Sequence, residues 1–205
     1  MDTLPLTPDV LIAAYANGIF PMDVEGVTRW FSPDPRAVIE LENFHIPKTL
    51  AQRIRSGRFE TRIDTAFEQV IRHCARRAEG TWISPAIIDA YHQLHQLGFA
   101  HSVESWHGNE LVGGLYGVAI GGAFFGESMF HVETDASKVA LVALIERMRT
   151  RGYRLLDVQF TTQHLERFGA REISRASYMA RLQRALTVDV RFVDEPNTSN
   201  RSPRP

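Results

Sequence analysis

The sequence has 205 residues, 44% of them hydrophobic, and a formal net charge of -1. This length supplies enough core for one large domain, or for one domain with a small attachment. The charge excludes a generally basic nucleic-acid-binding coat, and the single cysteine, Cys74, excludes a disulfide framework and a multi-cysteine metal site. No stretch approaches the ~18 apolar residues of a membrane span and no signal-peptide pattern is present, so we expect a cytoplasmic protein.

The N-terminal part is predicted to be one short helix followed by an irregular loop. Thr7 is in position to cap a helix whose first residue is Pro8, and Gly18 ends the apolar helical pattern. Residues 19–36 combine three prolines with large aromatic side chains, a composition that predicts a loop. Such a loop serves either as a binding rim or as a segment pinned to the core by its rings, and both interpretations stay open.

Residues 50–98 predict three helices and one strand. The strand is at 59–63, where polar and apolar residues alternate, and Asp64 is in position to cap the helix that follows. Ser84 is predicted to cap the third helix, which Gly98 ends.

The most distinctive stretch is the glycine-rich segment at 110–131. Two apolar runs flank Gly121 and Gly122, and a two-residue Gly-Gly loop suits the positive φ angles of a tight β-hairpin. Four more glycines lie inside the strands, at positions 113, 114, 117 and 126. Glycine weakens a strand unless another backbone or a ligand approaches closely, so the hairpin is predicted to form the floor of a site.

The remaining elements predict the fold class. Strands are predicted at 100–106, 153–159 and 187–193, helices at 136–151, around 162–168 and from Ser174, and a disordered tail at 194–205. This order predicts an α+β fold with a mixed, largely antiparallel sheet. We divide the chain into a short N-terminal helix and loop part at 1–60 and a catalytic domain at 61–193.

Two carboxylates are candidates for a functional site. Asp157 and Gln159 are two apart on a predicted strand, so both side chains project from one face, while Phe160 belongs to the opposite apolar face. Glu127 ends the second hairpin strand within an apolar run, where acidic side chains are rare without a partner. The alternative for both carboxylates is a structural ion pair with Lys138 or an arginine.

Other chemical patterns are weaker. His92 and His95 share a helix face, but no third metal ligand is indicated. The chain lacks the HExxH, P-loop, dinucleotide-binding and GxSxG motifs, so hydrolysis by metal or serine is unsupported. Arginines cluster at 53–62, 72–77 and 147–154. Such clusters either hold an RNA backbone or form solvated helix faces, and both interpretations stay open.

Eight motifs follow one another between residues 7 and about 186: WFSPDPR (30–36), EGTWI (79–83), AYHQLHQLGFAHSVE (90–104), ELVGGLYGV (110–118), FGESMF (125–130), ASK (136–138), LLDVQ (155–159) and GAREI (169–173). Together they resemble the leucyl/phenylalanyl-tRNA-protein transferase family. The resemblance implies a GNAT-like acyltransferase domain that transfers Leu or Phe, and sometimes Met, from aminoacyl-tRNA to the N-terminal α-amino group of proteins beginning with Arg or Lys. The product carries an N-degron. The resemblance implies no cofactor, no metal and no membrane partner, and we expect a monomer.

The resemblance also assigns side chains to the donor site. The aminoacyl side chain would lie in an apolar pocket formed by Leu115, Phe124, Met129 and Leu141. The alternative is that these four are ordinary core residues. The terminal adenine of the tRNA would stack on Trp82.

Two positions depart from the family pattern. Familiar members have Trp where this chain has Met22. The adenine would therefore lie between Trp82 and a methionine thioether, rather than between two aromatic rings, unless Trp30 supplies the second ring. We therefore expect weaker adenine binding. Arg167 and Phe168 stand where Ser and Leu are more familiar, and they add a charge near the predicted site.

The resemblance suggests a mechanism with little covalent chemistry. The donor ester is already activated, so the enzyme mainly positions an amine and manages one proton. We predict that Asp157, oriented with Gln159, contacts the acceptor amine and assists proton removal, while Glu127 holds the acceptor end. A ribose hydroxyl of the tRNA is the alternative proton relay.

Two other classes of protein stay open. One is a GNAT acetyltransferase using acetyl-CoA, whose pyrophosphate-binding loop is not found in this sequence, and the other is a non-catalytic RNA- or degron-binding module.

Overall fold

The computed structural model describes residues 4–76 and 80–194. Within them the chain forms seven helices and nine strands. In chain order these are α1 (Pro8–Ala16), β1 (Phe20–Val24), β2 (Val27–Phe31), β3 (Arg36–Ile39), α2 (Lys48–Arg55), β4 (Glu60–Ile63), α3 (Phe67–Ala75), α4 (Pro85–Gln96), β5 (Ala100–His107), β6 (Glu110–Ile120), β7 (Ala123–His131), α5 (Ala136–Arg151), β8 (Leu155–Gln159), α6 (Gln163–Glu166), β9 (Ala170–Ile173) and α7 (Arg175–Leu186). None of the helices in these residues combines the length and apolarity needed to cross a bilayer.

Seven strands form the main sheet, in the order β4-β5-β6-β7-β8-β3-β9, and β1 pairs with β2 in a separate two-stranded sheet. Neighbouring strands are antiparallel except β7 and β8, which are parallel. Helix α5 connects these two, because parallel neighbours need a long crossover. The predicted α+β fold with a mixed, largely antiparallel sheet is confirmed.

Helices cover both faces of the main sheet, and each face has its own apolar core. Residues of α1, α3, α4 and α7 pack against one face, and residues of α2 and α5 pack against the other. Neighbouring residues of β6 therefore belong to different cores, Tyr116 to the first and Leu115 to the second. Because both faces are covered, β6 is an almost continuous apolar run rather than an alternating one.

The glycine-rich hairpin is confirmed as β6 and β7, joined by the Gly-Gly turn at 121–122. Its strand glycines are explained mainly by packing within the chain. A Cβ at Gly113 would lie 2.8 Å from the backbone carbon of Ala136 in α5, and a Cβ at Gly117 would lie 2.3 Å from a carbonyl oxygen of β7. Of the four strand glycines, Gly126 is the one that lines the cavity described below.

The parallel strands β7 and β8 separate near their ends. Their pairing stops at Phe125 and Asp157. Beyond that point β7 continues to His131 and β8 to Gln159 without further pairing between them, and β8 stays paired with β3. The resulting gap in the sheet is where the candidate site lies.

The predicted irregular loop at 19–36 is wrong, because β1 and β2 form a hairpin there. Its turn residues, Glu25 and Gly26, have positive φ angles of 56° and 80°, which match the twist of the strands. Pro21 is tolerated because both strands of a two-stranded sheet are edge strands.

Strand β3 belongs to the main sheet although it lies within the N-terminal part predicted at 1–60. The division into domains stays a prediction.

The predicted strand at 187–193 is also wrong. Phe192 is buried by side-chain packing rather than by a hydrogen-bonded ladder, against the rings of Phe124 and Tyr153, and the valines of the segment are partly buried. Alternating burial therefore arises here without strand pairing. Residues 195–205, which make up most of the predicted tail, lie outside the described residues.

The helix starts predicted at Ser84 and Ser174 are confirmed, whereas Thr7 makes no capping hydrogen bond to α1 and Asp64 does not cap α3. The hydroxyls of Ser84 and Ser174 accept hydrogen bonds from backbone N–H groups in the first turns of α4 and α7. The carboxylate of Asp64 instead accepts a backbone N–H of β5. Glu104 of β5 caps α3, accepting the N–H groups of the two residues before the helix at 2.9 and 2.8 Å. A cap supplied by a distant strand has no local sequence signal.

Candidate active site

A cavity of about 410 Å³ lies where β7 and β8 separate. Its apolar walls include side chains from β6, β7, α5 and β8, namely Leu115, Met129, Leu141 and Leu156. Its polar end carries Glu127 and Gln159. A mostly apolar cavity with a few converging polar groups is the usual form of a small-molecule site.

The polar end is organised around Glu127 of β7. Tyr15 of α1 donates a hydrogen bond to its Oε1 at 2.7 Å, and the side-chain amide of Gln159 donates to the same oxygen at 3.0 Å. Tyr91 of α4 donates to Oε2 at 3.4 Å, and its hydroxyl also contacts that of Tyr15. Four elements therefore converge on one carboxylate.

Burial raises the pKa of Glu127 to about 8. The hydrogen bond from Tyr15 and the charge of Arg36 oppose this rise in pKa, whereas the charge of Asp157 adds to it. Burial also raises the pKa values of Tyr15 and Tyr91 well above their ordinary range, so both stay protonated donors. Glu127 keeps part of its surface open to the cavity. A carboxyl group of this kind can exchange a proton with an amine near neutral pH.

Asp157 of β8 lies beneath the cavity and does not line it. Nε and Nη2 of Arg36 donate to its two oxygens at 2.9 and 2.7 Å, and the hydroxyl of Tyr178 donates at 2.7 Å. The backbone N–H of Gln159 donates at 2.9 Å. The side chains of Arg36 and Asp157 are 1% and 0% exposed. The structural ion pair considered as an alternative is therefore present with Arg36, while Lys138 pairs elsewhere.

Arg36 of β3 ties this buried pair to the N-terminal part of the chain. Its Nη1 donates to the carbonyl oxygen of Gly18 at 3.0 Å. Its guanidinium lies over the rings of Phe20 and Tyr178, at 4.8 and 4.7 Å from their centroids. These contacts offset part of the cost of removing two charges from water.

Gln159 connects the two carboxylates. Its φ of 58° lies in the left-handed region, which is uncommon for a residue other than glycine. In this conformation its backbone N–H faces Asp157 and its side chain reaches Glu127. Phe160, predicted on the opposite apolar face, follows this turn and lines the cavity with 49% of its surface exposed. Backbone outliers of this kind cluster at functional sites.

Three of the four predicted pocket residues, Leu115, Met129 and Leu141, line the cavity. Phe124 does not line it, because its ring packs behind the wall, 5.1 Å from the ring of Phe192. The ring fills space left by a strand glycine, since a Cβ at position 117 would lie 2.5 Å from it. The role of these residues in holding an aminoacyl group stays a prediction.

Trp82 and Met22, the predicted adenine-binding residues, line the same cavity. The backbone N–H of Asp23 donates to the carbonyl oxygen of Trp82 at 3.0 Å and so fixes β1 to the loop before α4. Trp30 is the cross-strand partner of Pro21, so it lies on the opposite face of the hairpin from Met22. Trp30 therefore does not supply the aromatic ring that Met22 lacks.

Sequence reasoning missed the side chains that hold the two carboxylates. Tyr15, Tyr91 and Tyr178 were absent from the predicted site, and so was Arg36. Tyr15 is 112 positions from Glu127, and Arg36 is 121 positions from its partner. The available signal was a set of tyrosines on apolar helix faces, because a buried tyrosine hydroxyl usually finds a hydrogen-bond partner.

The fold and the cavity define an α+β protein with an apolar pocket that ends at a buried carboxyl group. The family described as "Leucyl/phenylalanyl-tRNA protein transferase" matches residues 38–183, and its N-terminal domain matches residues 5–34. The chain is 54% identical over 185 residues to the leucyl/phenylalanyl-tRNA--protein transferase of Salinibacter ruber (89% of this chain, 81% of that one). It is 53% identical over 191 residues to that of Herpetosiphon aurantiacus (93% and 100%). The chain belongs to this family and is an aminoacyltransferase that uses aminoacyl-tRNA and protein substrates.

Among solved structures, L-PGS from Bacillus licheniformis aligns with a TM-score of 0.47 at 12% identity, covering 88% of this chain and 70% of that one. This score is too low to assign a shared fold. The GNAT-like part of the predicted fold is not confirmed by it, and the mixed α+β architecture is the assignment that stands.

Proposed function

We propose that this chain transfers Leu or Phe, and also Met, from aminoacyl-tRNA to the α-amino group of proteins beginning with Arg or Lys, and so creates an N-degron. The observation that supports this most is that one cavity joins apolar walls, Trp82 and the carboxyl group of Glu127. The choice of acceptor residues rests on the family resemblance. The enzyme is a cytoplasmic monomer in this proposal.

We also propose that the main sheet is GNAT-like. A single parallel pair in an otherwise antiparallel sheet supports this, as does the separation of β7 and β8 beyond Phe125 and Asp157. The acyl group of the donor would enter the gap between these strands.

The donor occupies the apolar part of the cavity. Its leucyl or phenylalanyl side chain packs against Leu115, Met129 and Leu141, and hydrophobic pockets of this kind discriminate weakly between apolar side chains. The terminal adenine stacks on Trp82 with Met22 opposite, and a base–aromatic stack contributes about 1–3 kcal/mol. The ester carbonyl group then lies at the polar end of the cavity.

Glu127 is the proton acceptor in this proposal. The acceptor amine arrives as an ammonium group with a pKa of about 8 and gives one proton to the carboxylate. Its nitrogen attacks the ester carbonyl carbon and forms the amide bond. The bond to the ribose oxygen breaks as the carboxyl group of Glu127 donates its proton to that oxygen, and a second proton from the nitrogen passes to the carboxylate that is left. Because the pKa of Glu127 is also about 8, the first proton transfer costs little near neutral pH.

Asp157 is a positioning residue in this proposal. Its oxygens face Arg36 and Tyr178, so the direct contact with the acceptor amine predicted from the sequence is replaced by an indirect role. It holds the backbone of Gln159, whose side-chain amide donates to Glu127. The carboxyl group of Glu127 is thereby kept at the cavity.

The test is label transfer from leucyl-tRNA, and separately from phenylalanyl-tRNA, to a peptide beginning with Arg. An N-acetylated copy of the peptide and a reaction with labelled acetyl-CoA are the controls. We expect transfer from both tRNAs to the free peptide alone. Failure of both tRNAs with folded protein would contradict the proposal; label from acetyl-CoA would then indicate an acetyltransferase, and RNA binding without transfer a binding module.

A further inference from the structure

Arg29 of β2 is an exposed arginine beside the candidate site. It is the cross-strand partner of Met22 in the β1–β2 hairpin. Directly paired residues of antiparallel strands project from the same face, and Phe20 and Met22 of this face line the cavity. The side chain of Arg29 therefore lies next to Met22 at the mouth of the cavity.

The charge of Arg29 is not neutralised within the part of the chain that the structure describes, where it has no hydrogen bond or ion pair. Asp23 of the same hairpin pairs with Thr28 on the other face, and its carboxylate accepts the N–H of Gly26 at 2.8 Å. Two neighbouring arginines have other partners, Arg36 in the buried ion pair and Arg175 on Ser32. An unpaired guanidinium at a cavity mouth suits a phosphate group, because its positive charge attracts the phosphate oxygens.

We propose that Arg29 binds the phosphate group that precedes the terminal adenosine of the tRNA. The inference rests on the proposed function, in which the adenine lies between Trp82 and Met22. The RNA backbone must then leave the cavity at its mouth, where Arg29 stands beside Met22. The phosphate contact compensates for the weaker stack on a methionine.

The position of Arg29 favours a backbone contact over a stack on the base. Met22 lines the cavity and Arg29 does not, so the thioether faces the base while the guanidinium lies outside. A contact of this kind depends on charge more than on the planar shape of the side chain. The conservative variant Arg29→Lys is therefore expected to keep most of the function of Arg29.

The experiment compares Arg29→Gln, Arg29→Lys and the control Arg184→Gln. Arg184 is an exposed residue in the last turn of α7, outside the arginine clusters, and does not line the cavity. The donors are leucyl-tRNA and leucyl-adenosine, an aminoacyl nucleoside without a phosphate. For Arg29→Gln we expect a KM for leucyl-tRNA raised about three- to tenfold, an unchanged kcat, and a slope of log KM against log salt reduced by about 0.7. The KM for leucyl-adenosine stays unchanged, and Arg184→Gln behaves as the wild type.

Three results would overturn the role of Arg29 while leaving the proposed function intact. The first is wild-type KM for leucyl-tRNA in Arg29→Gln. The second is an equal rise in KM for leucyl-adenosine, which would place the contact on the nucleoside. The third is an equal effect of Arg184→Gln, which would indicate a general effect of charge. A wild-type protein that transfers from neither donor would overturn both the proposed function and this inference.

Discussion

Glu127 and Asp157 show how surroundings give two carboxylates different roles. Asp157 faces a guanidinium in a closed space and accepts four hydrogen bonds. Glu127 accepts hydrogen bonds from Tyr15, Tyr91 and Gln159, all neutral donors, and part of its surface is open to the cavity. Of these two carboxylates, Glu127 is the one that faces the cavity.

The buried ion pair gives a test at this scale. Arg36→Met leaves the Asp157 carboxylate buried without its cation and is expected to lower the free energy of unfolding by about 3–5 kcal/mol. The double variant Arg36→Met/Asp157→Leu removes both charges. Its free energy of unfolding is expected to fall by less than that of the single variant, although Tyr178 loses its hydrogen-bond partner. Chemical denaturation of the three proteins measures this. A double variant less stable than Arg36→Met would contradict the assignment.

The same two carboxylates show how much of the site the sequence predicts. Acidic residues inside apolar runs are unusual, and this local signal identified both Glu127 and Asp157. Their partners depend on which helices pack above the sheet, and no local pattern carries that information. The sequence therefore did not show which carboxylate faces the cavity, because a carboxylate sealed by Arg36 resembles an open one in the sequence.

Among the elements, those with local start and end signals were predicted correctly. The hairpin of β6 and β7 has its Gly-Gly turn, and α4 has Ser84 and Pro85 at its start. The hairpin of β1 and β2 also has a turn signal at 25–26, but Pro21 and the surrounding aromatic residues favoured a loop. The segment at 187–193 shows the opposite error, since side-chain packing alone produced the alternation typical of a strand.

The strand glycines provide a test of packing at the scale of the elements. In Gly113→Ala the new methyl group would lie 2.5 Å from Cβ of Ala136 and 2.8 Å from its backbone carbon, so we expect a loss of about 1–3 kcal/mol in the free energy of unfolding. The matched control is Gly126→Ala, where the nearest atom is 3.6 Å away and we expect a change within about 0.5 kcal/mol. Thermal or chemical denaturation measures both. Equal losses would show that contact with α5 is not what requires glycine at position 113.

The N-terminal part completes the site in the molecule as a whole. Tyr15 of α1 binds Glu127, Met22 of β1 lines the cavity, and Arg36 of β3 holds Asp157. The main sheet contributes the gap between β7 and β8, and neither part alone contains the complete constellation. The fold class could be predicted from the order of the elements. The assembly of the site from the N-terminal part and the main sheet could not, because it depends on long-range contacts.

The most direct test of the account is the pH dependence of the transfer rate in the wild type, Glu127→Gln and Asp157→Asn. In the wild type the rate rises as the carboxyl group of Glu127 ionises, with a pKa of about 8, and falls as the acceptor ammonium group, with a pKa of about 8, loses its proton. It falls because Glu127 then receives no proton to give to the ribose oxygen. We predict a bell-shaped profile. Glu127→Gln reacts only with the neutral amine, so its rate is about 10²- to 10⁴-fold lower and rises with pH without falling.

Asp157→Asn removes a negative charge that raises the pKa of Glu127, so the rising side of its profile moves to lower pH. A merely structural role for Asp157 would leave the shape of the profile unchanged. A wild-type rate that rises without falling, together with a Glu127→Gln enzyme of nearly wild-type rate, would contradict the central claim that Glu127 accepts the proton.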